Sequence, residues 1–258
     1  MRNKISRSND FERDYAMGQP AVSALAPLPF ELVFSDGEPL ETGWHALQLP
    51  FLWELIHLAM VEQGRSDFFV GGDMFVYYSM DQARDVARGR PYFRGPDIFW
   101  VDGVEPGMRK GWVSWEEGGR LPDVIVELLS PSTAEIDRTE KRDLYAQVFR
   151  TSEYFLYDPE TRKLEGLSLR GRAYQPMEPD DRGWFWSEQL GAFLGPWHGF
   201  RLGVEGDWLR LFHADGTLVP ATAEKAESER LRADSERLRA EAAEAELARL
   251  RALLQGKP

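Results

Sequence analysis

The chain has 258 residues, 43% of them hydrophobic and 12% aromatic, enough to bury a full core as one large domain or one domain with an appendage. It has no cysteine, which excludes disulfides, thiolate metal sites and a cysteine nucleophile. The net charge of −12 weighs against a surface that grips nucleic acid unaided, so any such site needs a local basic patch or a metal ion.

In chain order, residues 1 to about 40 mix Pro20, Pro27, Pro29 and Pro39 with charge and show no sustained period, which predicts an extended lead-in. Asp10, Glu12, Arg13 and Asp14 stand where a signal peptide would have its apolar core, and no run approaches membrane-spanning length. These features predict a cytoplasmic protein with no membrane span. From Pro50 to Gln63, FLWELIHLAMVEQ is apolar around most of its circumference and stops at Gly64, as a buried helix does. Met74 to Ser79, Pro96 to Val101 and Pro122 to Ser130 are short β-branched, aromatic and aliphatic runs that predict strands. The third is predicted to be central, because Val124, Ile125, Val126, Leu128 and Leu129 leave neither face polar.

Ser132 followed by Glu135 fits a capping box and predicts a helix from there to about Phe149, and Glu153 to Asp158 predicts the next strand. Strand, helix and strand with short links form a βαβ unit. Segments around Leu164 to Leu169, Trp184 to Trp186 and Trp208 to Phe212 predict smaller antiparallel hairpins. From Ala221 to Leu254 the composition shifts to Ala, Glu, Arg and Leu, which predicts a long exposed helix. Leu231 and Leu238 stand seven apart, but the phase slips before Leu247, Leu250 and Leu254, giving an imperfect coiled coil that favours self-association as a dimer. Eight acids and eight bases cancel between Ala221 and Pro258, so the negative excess lies on the first 220 residues. The organisation expected is a lead-in over 1–40, a domain over 41–213 and a charged helix over 221–254.

Glu127 is the most informative residue, because it interrupts a strand that is otherwise apolar on both faces. A lone buried carboxylate costs several kcal/mol, so it needs a partner or a cation. Lys141 falls on the same helical face as Leu144, Tyr145 and Val148 and points toward the domain. Asp97 and Asp123 each follow a proline at a strand entrance, which alone is common turn chemistry. Two acids from adjacent strands with a lysine from the helix behind them make an oxygen-lined pocket suited to Mg²⁺ or Mn²⁺, with one fixed positive charge. His45, His57, His198 and His213 show no ligand spacing, and Gly71-Gly72 and Gly118-Gly119 lack the pattern of a phosphate-binding loop. The nine tryptophans fit packing better than base stacking.

The stretch from RGPDIFWVDG through PDVIVELLSPSTAEIDRTEKRDLYAQVF to EYFLYDP resembles the Uma-type endonuclease family, over roughly Glu38 to Leu211. The resemblance implies the restriction-endonuclease-like fold of the PD-(D/E)XK superfamily, an α/β architecture with a mixed sheet core and flanking helices. It also implies a phosphodiesterase site dependent on a divalent metal and acting on nucleic acid, DNA in the first instance. Carried over by position, Asp97 and Glu127 hold the metal, Lys141 is the helix lysine, and Glu54 on the earlier helix is an auxiliary acid; Asp123 is expected beside the site as an auxiliary turn residue at the pocket mouth, not as a ligand. In the wider superfamily the lysine lies two residues after the glutamate on the same strand. Here that position is Leu129, and the lysine has moved to the following helix. The rival reading is a catalytically silent module that keeps the fold and assembles through its last helix.

Overall fold

A computed structural model describes residues 28–34, 42–89 and 95–255. Most of the expected lead-in lies outside these residues. The first helix, α1, runs over Gly43–Glu62, with Thr42 as N-cap accepting from the His45 N–H. The sequence predicts this helix only from Pro50, because proline usually marks a first turn. Instead Pro50 sits inside it with its ring exposed, and the cost is one missing intrahelical hydrogen bond. The extra turns carry buried His45 and Gln48. The Gln48 side chain donates to the Leu209 carbonyl at 2.9 Å and accepts from the Leu209 N–H at 3.0 Å, coupling α1 to the strand of Leu209.

The main sheet has six strands. In chain order these are β1 (Phe68–Gly72), β3 (Ile98–Asp102), β5 (Val124–Leu128), β6 (Glu153–Asp158), β7 (Lys163–Arg170) and β8 (Ala173–Pro176), which is also their spatial order. All neighbours are antiparallel except β5 and β6, which are parallel and joined by the helical segment α3 (134–149). The predicted Met74 to Ser79 strand is reduced to β2 (Val76–Tyr77), which pairs with β4 (Trp112–Val113) in a separate two-stranded parallel sheet. Strand β1 has no sequence signal because it is FFVGG. Glycine at 71 is required there, since a Cβ would lie 2.2 Å from the Phe99 ring. Helix α2 (Met80–Ala87), capped by Ser79, is likewise unanticipated. Strands β9 (Phe185–Ser187), β10 (Ala192–Arg201) and β11 (Val204–Phe212) form a three-stranded antiparallel sheet.

All five residues of β5 are buried, as its sequence requires. Val124, Val126 and Leu128 join the cluster packed on α1 and β11, while Ile125 and Leu129 join the cluster packed on Tyr145 and Phe149 of α3. Glu127 shares the α3 face by its strand parity.

Segment α3 is not a uniform α-helix. Its turns Ala134–Ile136 and Arg142–Leu144 alternate with π-helical stretches Asp137–Lys141 and Tyr145–Phe149. An α-helix has 3.6 residues per turn, and the wider i→i+5 ladder takes more, so the mixture averages about four. Asp137, Lys141, Tyr145 and Phe149, each four apart, therefore stand in one straight row toward the sheet. This corrects the face expected from regular helical spacing: Val148, assigned to the inner face, is 45% exposed. The capping box is also replaced. Thr133 is the N-cap without a side-chain capping bond, and Ser130 Oγ accepts from the Thr133 N–H at 3.2 Å. The last helix, α4 (Thr222–Gln255), has exposed side chains from Ala226 onward wherever they are described.

Candidate active site

The register of β3 on β5 pairs Ile98 with Val126. Carried one residue outward, it sets Asp97 directly opposite Glu127 on the face that α3 covers. The Asp97 N–H donates to Glu127 Oε2 at 3.2 Å, and Asp97 Oδ2 accepts from the Leu128 N–H at 2.6 Å. From α3, the Lys141 ammonium lies 3.1 Å from Glu127 Oε2 and 2.7 Å from Asp137 Oδ1. The Tyr145 hydroxyl donates to Glu127 Oε1 at 2.7 Å, and the Tyr154 hydroxyl donates to the Asp137 carbonyl at 2.9 Å. The structure thus brings Asp97, Glu127 and Lys141 together.

Two members of the cluster carry no site role in the sequence. Asp137, 1% exposed, stands one turn before Lys141, and only its four-residue offset from the lysine hints at it. Tyr145 was assigned to the inner face of α3, but nothing in the sequence says that its hydroxyl meets Glu127 and not the apolar core.

Glu127 is wholly buried, and burial pushes its carboxyl well above the ordinary range. Lys141 offsets this, while Asp97 and Asp137 add to it. Burial raises the Asp97 carboxyl as well, against Lys141 and the Leu128 N–H. Burial pulls the Lys141 ammonium down, but Glu127, Asp137 and Asp97 together outweigh it and hold the side chain charged. Tyr145, raised by burial and by Glu127, stays a neutral donor. The site therefore concentrates three carboxyls around one ammonium in a low-dielectric setting, an excess of negative charge that favours a proton or a cation.

The two auxiliary acids are not brought to this site. Glu54 lies on α1, across the sheet, where its Oε1 accepts from the Thr222 N–H at 2.9 Å and so holds the start of α4. Position along a helix does not reveal which face of a sheet that helix covers. Asp123 accepts from the Asp102 N–H at 2.9 Å, at the opposite end of β5 from Glu127. Four residue steps along the strand separate Asp123 from Glu127, about 13 Å. The expected place at the pocket mouth is wrong, whereas its role in closing the strand entrance stands.

Among the described residues no group of three or more His, Cys, Asp or Glu side chains could hold a metal ion by itself. The ammonium of Lys141 lies between Glu127 and Asp137, which leaves Asp97 and Glu127 as the carboxyl pair. Two hard oxygen donors without imidazole or thiolate suit Mg²⁺ or Mn²⁺, which retain water and take substrate phosphate oxygens in their remaining positions. Also among the described residues, no helix is long and apolar enough to cross a membrane.

A family model, Uma2, described as "Putative restriction endonuclease", matches residues 26–195, well over half of the chain. Among solved structures the chain is similar to a protein from Anabaena variabilis described as "a putative nuclease belonging to DUF820". The two are 16% identical over 59% of this chain and 76% of that one, with a TM-score of 0.40. No curated protein matches.

Proposed function

The chain belongs to the Uma2 restriction endonuclease family, and from that premise we propose that it is a metal-dependent endonuclease whose active site is Asp97, Glu127 and Lys141. The observation that carries this reading is the direct opposition of two raised carboxyls on neighbouring strands with a partly buried ammonium from α3 beside them. Asp97 and Glu127 would hold Mg²⁺ or Mn²⁺, and the ion would supply Lewis acidity toward a phosphodiester and a bound water of lowered pKa.

The protein's own groups do the rest. Lys141, kept charged by its three carboxyl neighbours, offers a fixed positive charge to a phosphate oxygen as negative charge develops there. Tyr145 and the Asp97 N–H fix the Glu127 carboxylate from either side, so it is oriented before substrate arrives. The fold holds Asp97 by the Leu128 N–H in the same way. A lysine on a helix can serve because the π-helical turns of α3 aim Lys141 at the strand, which recovers the position that Leu129 leaves empty of charge. The substrate class is nucleic acid, DNA in the first instance. The net charge of −12 favours a grip that leans on the metal and not on a broad basic face. Self-association fits the exposed leucines of α4, among them Leu231 and Leu238.

The test is cleavage of labelled single-stranded DNA, duplex DNA and RNA in Mg²⁺, Mn²⁺ and excess chelator. Cleavage that requires the metal and disappears in Asp97→Asn supports the assignment. Metal-independent cleavage, or none on any substrate, rejects it.

A further inference from the structure

The residue of α1 that bonds the backbone next to Glu127 is His45, not Glu54. Its ring is buried, with Nε2 3.2 Å from the Leu128 carbonyl and Nδ1 2.8 Å from Thr42 Oγ1. A carbonyl only accepts, so Nε2 carries a proton and donates to it.

The sequence explains why the Leu128 carbonyl is free for this bond. The Asp97 carbonyl accepts from the Asp73 N–H, so the Asp97 backbone faces β1 and its neighbours 96 and 98 face β5. Ile98 pairs with Val126, and the next hydrogen-bonding pair outward would be residue 96 with Leu128. Residue 96 is proline and has no N–H to give. The Leu128 carbonyl therefore loses its strand partner while remaining largely out of water. Asp97 Oδ2 takes the N–H and His45 takes the carbonyl. On its outer side the same ring borders a cavity of about 460 Å³ at this end of the sheet, also lined by Leu129 and Ser130.

We propose that His45 is a positioning residue of the active site, holding the Leu128 peptide so that the adjoining Glu127 carboxylate meets Asp97 in the metal-binding arrangement. This rests on the metal-dependent reading above. Partners that orient a ligand from behind typically change metal affinity by about ten- to a hundredfold when removed.

The experiment titrates Mn²⁺ into the full chain and into His45→Ala and His45→Gln, and follows amide hydrogen exchange at Leu128 and Leu129 without metal. Glutamine keeps an N–H at the reach of Nε2, whereas alanine does not. Weakening of Mn²⁺ affinity by about tenfold or more in alanine, with recovery to within a few-fold in glutamine, supports the proposal. Equal affinities in all three, or equal losses in the two variants, overturn it. If the parent binds no Mn²⁺, the metal reading fails, and exchange decides separately. Faster exchange in alanine that glutamine restores keeps His45 as the holder of this peptide, and identical exchange removes it.

Discussion

Replacing Lys141 by methionine isolates the electrostatics of the site, because the stem stays and only the ammonium is lost. Lys141 contacts Glu127 at 3.1 Å and Asp137 at 2.7 Å, and those two side chains are 0% and 1% exposed. Breaking a buried pair from one side costs about 3–5 kcal/mol, because the remaining charge is uncompensated. Here the cluster can relieve part of this by taking up a proton, so the lower end, about 3 kcal/mol at pH 8, is expected. With a urea slope of about 3 kcal/mol/M, the unfolding midpoint falls by about 1 M. The sign of the pH dependence follows from carboxyls that already sit above their unfolded values. Below the unfolded value, near pH 4, such acids are neutral in both states and carry no penalty; the penalty grows as pH rises through the folded value. The deficit of the variant should therefore shrink between pH 8 and pH 5.5, and Mn²⁺ should reduce it at pH 8. A deficit below about 1 kcal/mol, or one that is the same at both pH values, would refute the picture of an under-neutralised carboxyl cluster.

Glu127→Gln should abolish Mn²⁺ binding while leaving stability at pH 8 equal or higher, since it removes one of the clustered buried acids; calorimetry and thermal unfolding together read this out. That gain should fade toward acid, where Glu127 is protonated in the folded parent as well. Tyr145→Phe, which deletes a hydrogen bond to Glu127 Oε1, should cost about 1.5–3 kcal/mol in urea unfolding and weaken Mn²⁺ binding without displacing Lys141. Truncation should depend on where the chain is cut. The wholly buried Arg210 forks onto Glu224 with both contacts at 2.7 Å, and Ala221 is itself buried, so deleting 221–258 should destabilise by about 3–5 kcal/mol. Deleting 227–258 should leave the thermal transition in place and lower the mass in solution if α4 is what assembles the chain.

The residues that broke a pattern were the ones legible in the sequence. Glu127 stood out from an apolar strand, and Lys141 from a helix face. Strand β6 was legible over its full length because Tyr154, Phe155, Leu156 and Tyr157 leave no polar face. What stayed hidden has identifiable physical causes. Pro50 masked the first turns of α1, and with them His45. Gly71 and Gly72 removed the side chains that would have marked β1, though close packing on Phe99 demands glycine at 71. Asp137 was hidden because an acid four residues before a lysine on a helix reads as an ordinary exposed ion pair, and nothing local marks it as buried. Glu54 was misplaced because nothing local to α1 encodes which face of the sheet it covers.

The claim at the centre of this account is that Asp97 and Glu127 share a divalent cation. A crystal soaked in Mn²⁺ and measured for anomalous scattering tests it directly. One strong peak per chain is expected, at about 2 Å from a carboxylate oxygen of each residue and with Lys141 still in place beside it. A peak elsewhere, or none at concentrations that support cleavage, would contradict it.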